Sequence, residues 1–179
     1  MKTIVVTGGM GSGKTLACGI LRRKGIPVYD SDSKVKEIYA REPSIAALVT
    51  KEIFADELAM RLLESRLYPV LMDDFRQWAA EKQTEYVAFE SAILLQKDFF
   101  DGFGDYVVLI DAPYALRLER AMSRGTVEKD SVIGRMKLQR DERLNPRVNY
   151  IIENDASEKE LEAEIDKFLE SINYGKGKN

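Results

Sequence analysis

The 179-residue chain contains no histidine. That removes the commonest general base and the commonest nitrogen ligand, so a base must come from Asp or Glu, and the expected metal is Mg²⁺ on oxygen ligands. The single cysteine, Cys18, excludes an intrachain disulfide and falls where the first helix needs a small core residue. No apolar run approaches the ~18 residues of a membrane span. The N-terminal apolar run passes after a few residues into glycines and carries no secretory pattern. A net charge of −3 gives no global basic footprint for nucleic acid. These absences predict a cytoplasmic protein that binds neither membrane nor nucleic acid. Hydrophobic residues at 45% and charged residues at 32% describe one sizeable globular core.

What the chain does have is concentrated at residues 4–15, Ile-Val-Val-Thr-Gly-Gly-Met-Gly-Ser-Gly-Lys-Thr. Gly8, four residues, then Gly13, Lys14 and Thr15 make the G-x-x-x-x-G-K-[ST] phosphate loop, with β-branched residues before it and a helical period after it. Such a loop turns the main-chain N–H groups of Gly9, Met10, Gly11, Ser12 and Gly13 toward phosphate oxygens, and the following helix adds its N-terminal dipole. Lys14 is expected on the β- and γ-phosphates of ATP, and the Thr15 hydroxyl on Mg²⁺. A turn that binds nothing has no need of Lys followed by Thr at these places.

The remaining pattern alternates strands and helices. A helix is predicted from Thr15 to Lys24 with Gly25 as its stop, and a short strand from Ile26 to Tyr29 ends in Asp30-Ser31-Asp32. Asp30 or Ser31 caps the next helix. Two aspartates exceed what capping needs, so one of them is assigned to chemistry at the carboxyl edge of the sheet. The glycine-free stretch 43–83 predicts an amphipathic helix from Ile45 to Phe54 and a longer one from Leu58 to Trp78, kinked or broken at Pro69. Tyr68 and Trp78 read as core residues. Strands are predicted at 85–90, 105–111 and 148–153, the first ending in Glu90. The helices between them carry Arg117, Arg120 and Arg124, then Arg135, Gln139, Arg140 and Arg143, a concentration that suits a lid over polyphosphate. A final helix starts at Ser157, and the tail from Gly175 is expected to be disordered.

These features predict an α/β fold of the P-loop nucleoside-triphosphate-hydrolase type. It comprises five parallel strands covered by helices on both faces, in one kinase domain over 1–179, with a helical substrate lobe at about 43–83 and a lid at about 117–145. A phosphate loop, an acidic pair, a helical lobe and a lid suit phosphoryl transfer to a small hydroxyl acceptor, which is mostly positioning and charge neutralisation.

The chain also resembles the dephospho-CoA kinase family. The resemblance rests on the glycine loop, Gly-Ile-Pro-Val-Tyr-Asp-Ser-Asp from residue 25, Asp-Phe-Arg-Gln-Trp at 74–78 and Glu-Ser-Ala-Ile-Leu at 90–94. It continues through Ala-Pro-x-x-x-Arg-x-x-Arg at 112–120, Arg-x-x-x-Gln at 135–139 and Ile-Ile-x-Asn at 151–154. It implies transfer of the ATP γ-phosphate to the ribose 3′-hydroxyl of dephospho-CoA, with Asp32 as the catalytic carboxylate. Arg124, Arg135 and Gln139 are implied on the lid and Asn154 near the adenine end of ATP, in a monomer or weak homo-oligomer. Tyr68-Pro69 stands where the family carries His-Pro, Lys36 where it carries arginine, and Val148-Asn149 where it carries Ala-Asp. Two other readings stay open: a shikimate-kinase-like enzyme, and a nucleotide-sensing scaffold without acceptor chemistry.

Overall fold

The computed structural model describes residues 1–50, 53, 56–123, 129–137 and 141–174. In chain order the elements are β1 (Lys2–Thr7), α1 (Lys14–Arg23), β2 (Val28–Asp30), α2 (Ser31–Arg41), α3 (Pro43–Ala46) and α4 (Glu57–Ala80). After these come β3 (Tyr86–Glu90), two 3₁₀ turns, β4 (Tyr106–Asp111), α5 (Tyr114–Ser123), α6 (Lys129–Lys137), β5 (Tyr150–Glu153) and α7 (Glu158–Ser171). They form two compact units, Met1–Val28 with Glu85–Asn179, and Tyr29–Thr84.

The sheet has five strands in the order β2-β3-β1-β4-β5, of which β1, β3, β4 and β5 lie wholly within the first unit. β1 runs parallel to both β3 and β4, with Val6 opposite Glu90 on one side and Val108 on the other, and β4 runs parallel to β5. Helices flank it, as the alternating pattern predicts. The alternation of β1 decides which side chain meets which layer. Ile4 and Val6 enter the core with Ile20 and Leu21 of α1 and Leu161, Ile165 and Phe168 of α7, whereas Val5 faces the turn at Gly104. Each fully buried aliphatic side chain of this kind contributes roughly 1.5–3 kcal/mol. α7 starts where predicted, in a capping box: Ser157 Oγ accepts from the Glu160 N–H, and the Glu160 carboxylate accepts from the Ser157 N–H. α1 stops at Lys24, and Gly25 follows in the left-handed region at φ 84°.

The second unit contains α2, α3 and α4, departs from one expectation and narrows another. The helix predicted from Ile45 to Phe54 is realised only as α3, whose one buried residue is Ile45. Val49 is 44% exposed, so packing does not offset the rotamer freedom that Val49 and Thr50 would lose in a helix; Phe54 lies outside the described residues. α4 continues through Pro69 without a break. Proline lies on its exposed side, and seven buried residues, from Leu63 to Ala79, outweigh a penalty of about 3 kcal/mol. Tyr68 is buried, and Trp78 stacks on Phe75 with centroids 6.1 Å apart.

Candidate active site

The site in the first unit is built at the carboxyl ends of β1, β4 and β5. β1 ends at Thr7, and the chain turns through the glycines before α1 begins at Lys14. Gly11 and Gly13 take φ of 75° and 97°, where a side chain is strained and also has no room. A Cβ on Gly11 would lie 2.1 Å from the Arg117 carbonyl, and one on Gly13 would lie 2.0 Å from the Asn154 side-chain nitrogen. The loop is thus wedged between the start of α5 and the end of β5. Lys14 Nζ donates to the Gly8 and Gly9 carbonyls at 2.7 and 3.3 Å, which holds the ammonium against the loop. Thr15 is exposed on the first turn of α1.

Ser12 is fully buried, and its hydroxyl has no hydrogen-bond partner among the described residues. An orphaned donor at this depth costs of order 1–3 kcal/mol, and a loop built to receive an anionic ligand tolerates such a group. Beside the loop lies a cavity of about 420 Å³ lined by Asp111, Pro113, Tyr114, Arg117, Met136 and Arg143, among others.

Charged side chains organise the walls. Arg143 donates to Asp111 at 2.7 Å and to Glu153 at 2.6 Å, which bridges the ends of β4 and β5. Glu153 first and then Asp111 raise the pKa of its guanidinium further above its ordinary value. Arg117, 15% exposed, stands 3.8 Å from the same Asp111. Arg120 donates to the Asn154 carbonyl at 2.7 Å, and the Asn154 side chain donates to the Ser12 carbonyl at 2.7 Å. Arg147 grips the turns after β3 through the Lys97 carbonyl, Asp101 and the Leu95 carbonyl.

The sequence-derived residues fall into three sets. The structure brings the loop residues Gly9 to Thr15 together with Asn154. Arg124 and Gln139 lie outside the described residues, as does the side chain of Arg135, whose backbone belongs to α6. In the second unit, Asp30 is the N-cap of α2, accepting from the Ser33 N–H at 3.1 Å and the Ser33 hydroxyl at 2.7 Å. Asp32 is exposed on the first turn of α2. Capping therefore falls to Asp30. The sequence reading missed Asp111 as the carboxylate that gathers Arg117 and Arg143; an aspartate ending a buried strand six residues before an arginine was the available signal.

Cys18 is buried in α1, and burial, followed by the neighbouring Glu90 carboxylate, pushes its thiol well above its ordinary value. It is a core residue with no nucleophilic character. Among the described residues, no helix is long and apolar enough to cross a membrane.

Comparison with known proteins adds to this geometry. The dephospho-CoA kinase family model matches residues 46–160. A dephospho-CoA kinase of Bacteroides fragilis is 34% identical over 192 aligned positions, covering 96% of this chain and 91% of the relative. The Porphyromonas gingivalis enzyme of that name is 35% identical, with 76% of each chain covered. Among solved structures, TT1252 from Thermus thermophilus superimposes with a TM-score of 0.83 at 24% identity, covering 96% of this chain and 97% of the other. A shikimate kinase from Bacteroides thetaiotaomicron reaches 0.61 at 17% identity, covering 96% and 98%. At these identities the structural likenesses speak for a shared fold.

Proposed function

Because the chain belongs to the dephospho-CoA kinase family and keeps the whole phosphate loop of a P-loop kinase, we propose that it phosphorylates the ribose 3′-hydroxyl of dephospho-CoA at the expense of ATP, giving CoA and ADP in the last step of coenzyme A biosynthesis. The observation that carries this reading is the 34% identity to the Bacteroides fragilis relative across 96% of this chain. The fold alone does not select the acceptor, since shikimate kinases share it.

The loop fits a nucleotide's phosphates. Gly11 and Gly13 take left-handed φ, Lys14 is held against the loop, and the buried Ser12 hydroxyl has an unmet bond among the described residues. The Thr15 hydroxyl would hold Mg²⁺, which supplies charge neutralisation to the phosphates when bound. Mg²⁺ in such sites keeps water and phosphate oxygens as ligands. Lys14 steadies the transferring group, with Arg124, Arg135 and Gln139 as lid partners, and Asp32 takes the proton from the 3′-hydroxyl as the new O–P bond forms and the β–γ bridge breaks.

The test is ADP formation from ATP and Mg²⁺ with dephospho-CoA, shikimate, adenosine or no acceptor. Stimulation by dephospho-CoA alone is the expected result. Equal rates in all four arms would contradict the proposal, and stimulation by shikimate would transfer the chain to another acceptor class.

A further inference from the structure

α2 is held at both ends by one carboxylate. Tyr29 stands immediately before the N-cap Asp30, and Arg41 is the last residue of the helix. The Tyr29 hydroxyl donates to Asp74 Oδ2 at 2.7 Å, with the Leu71 carbonyl as a longer second acceptor at 3.4 Å, and Arg41 donates to Asp74 Oδ1 at 2.5 Å. Both oxygens of Asp74 are therefore engaged, one by each end of α2. The Tyr29 ring, 1% exposed, is seated on α4 edge-on to Phe75 and Trp78, each with centroids 5.3 Å away.

The environment favours a permanent clamp. The Asp74 side chain is only 13% exposed, and Arg41 is 47% exposed. Burial acts to raise the Asp74 pKa, but the Tyr29 hydrogen bond and Arg41 outweigh it and leave the carboxyl below its ordinary value. A partly buried carboxylate that keeps both partners restrains the groups that bind it, and loss of one leaves an oxygen short of its donor.

The eleven residues of α2 span roughly 16 Å at about 1.5 Å per residue. Asp32 lies on its first turn, between the two anchored ends. A helix tethered at one end can rock about the tether; a second tether at the other end restrains that motion. Phosphoryl transfer depends on positioning, and a displacement of about 1 Å in a reacting group can cost on the order of 10²-fold in rate.

We propose that Asp74 is a positioning residue for the acceptor chemistry, setting the placement of Asp32 by clamping α2 through Tyr29 and Arg41. This inference rests on the assignment of Asp32 to the acceptor. Asp74→Asn and Tyr29→Phe test it, the second because it keeps the ring packing and removes only the hydroxyl. Two readouts are paired: amide hydrogen exchange of α2 with α7 as internal control, and kcat against KM for ATP with dephospho-CoA as acceptor. In both variants α2 should exchange at least 10-fold faster with α7 unchanged, and kcat should fall about 10-fold while KM for ATP stays within twofold. Unchanged α2 exchange, equal acceleration of α7, or faster α2 exchange with full kcat would each overturn the proposal. If dephospho-CoA does not stimulate the wild-type protein, the acceptor assignment fails by itself, and α2 exchange decides the clamp.

Discussion

Asn154 reaches across the sheet edge to Ser12, its side-chain amide donating to the main-chain carbonyl at 2.7 Å. Asn154 is 3% exposed, and its own carbonyl is taken by Arg120, so the end of β5, α5 and the phosphate loop form one hydrogen-bonded chain. The family resemblance implies Asn154 near the adenine end of ATP. In the structure its side-chain amide also braces the loop itself.

Replacing Asn154 by Ala leaves the Ser12 carbonyl without that donor, at a cost of about 1–3 kcal/mol. The variant should unfold at lower urea and bind ATP roughly 10-fold more weakly. Urea unfolding and nucleotide titration check this, and unaltered ATP affinity would show that the Asn154 bond does not shape the loop.

Lys14→Ala should lower both nucleotide affinity and turnover, the latter by on the order of 10²-fold or more, if the ammonium held at Gly8 and Gly9 is, as proposed, the group that meets the phosphates. Steady-state kinetics together with binding measurements separate the two effects. Wild-type values in both would sink the loop assignment.

The two aspartates at the end of β2 should separate cleanly. Asp30→Ala removes the cap of α2 and should cost about 0.5–2 kcal/mol of stability. Asp32→Asn should leave stability and ATP binding nearly unchanged while lowering acceptor-dependent turnover by roughly 10²-fold or more. The reverse pattern would assign the chemistry to Asp30.

Alkaline pH should weaken the fold through Cys18. Burial raises its thiol above the ordinary value of 9.0, so above about pH 9 the unfolded chain loses a proton that the folded chain retains. Stability is complete below pH 9 and should fall above it by up to about 1.4 kcal/mol per pH unit from this group. Tyr29, raised from 10.0 by burial and by Asp74, adds the same sign at higher pH. Urea midpoints at pH 8, 9 and 10 for wild type and Cys18→Ala check this, with the flatter slope expected in the variant.

Local signals in the sequence carried the sheet and the loop. β-branched runs gave β1 and β4, Gly25 marked the stop of α1, and Ser157 gave the start of α7, because each is written within a few residues. The interactions that wall the site were not legible. Arg143 meets Asp111 from 32 positions away, and Tyr29 meets Asp74 from 45, and no periodicity encodes such pairs. Arg143 therefore read as a lid charge aimed at phosphate, whereas the structure spends it on Asp111 and Glu153. The length of α3 was misjudged for a related reason: apolar spacing at Ile45, Leu48 and Val49 suggested a helix face, but Val49 is left exposed.

The most direct measurement of the central claim is the position of the transferred phosphate. The protein, ATP, Mg²⁺ and dephospho-CoA should yield equimolar ADP and a product whose ³¹P spectrum carries a new ribose 3′-phosphomonoester. ADP without that resonance, or phosphate released to water at the same rate with and without acceptor, would contradict the account.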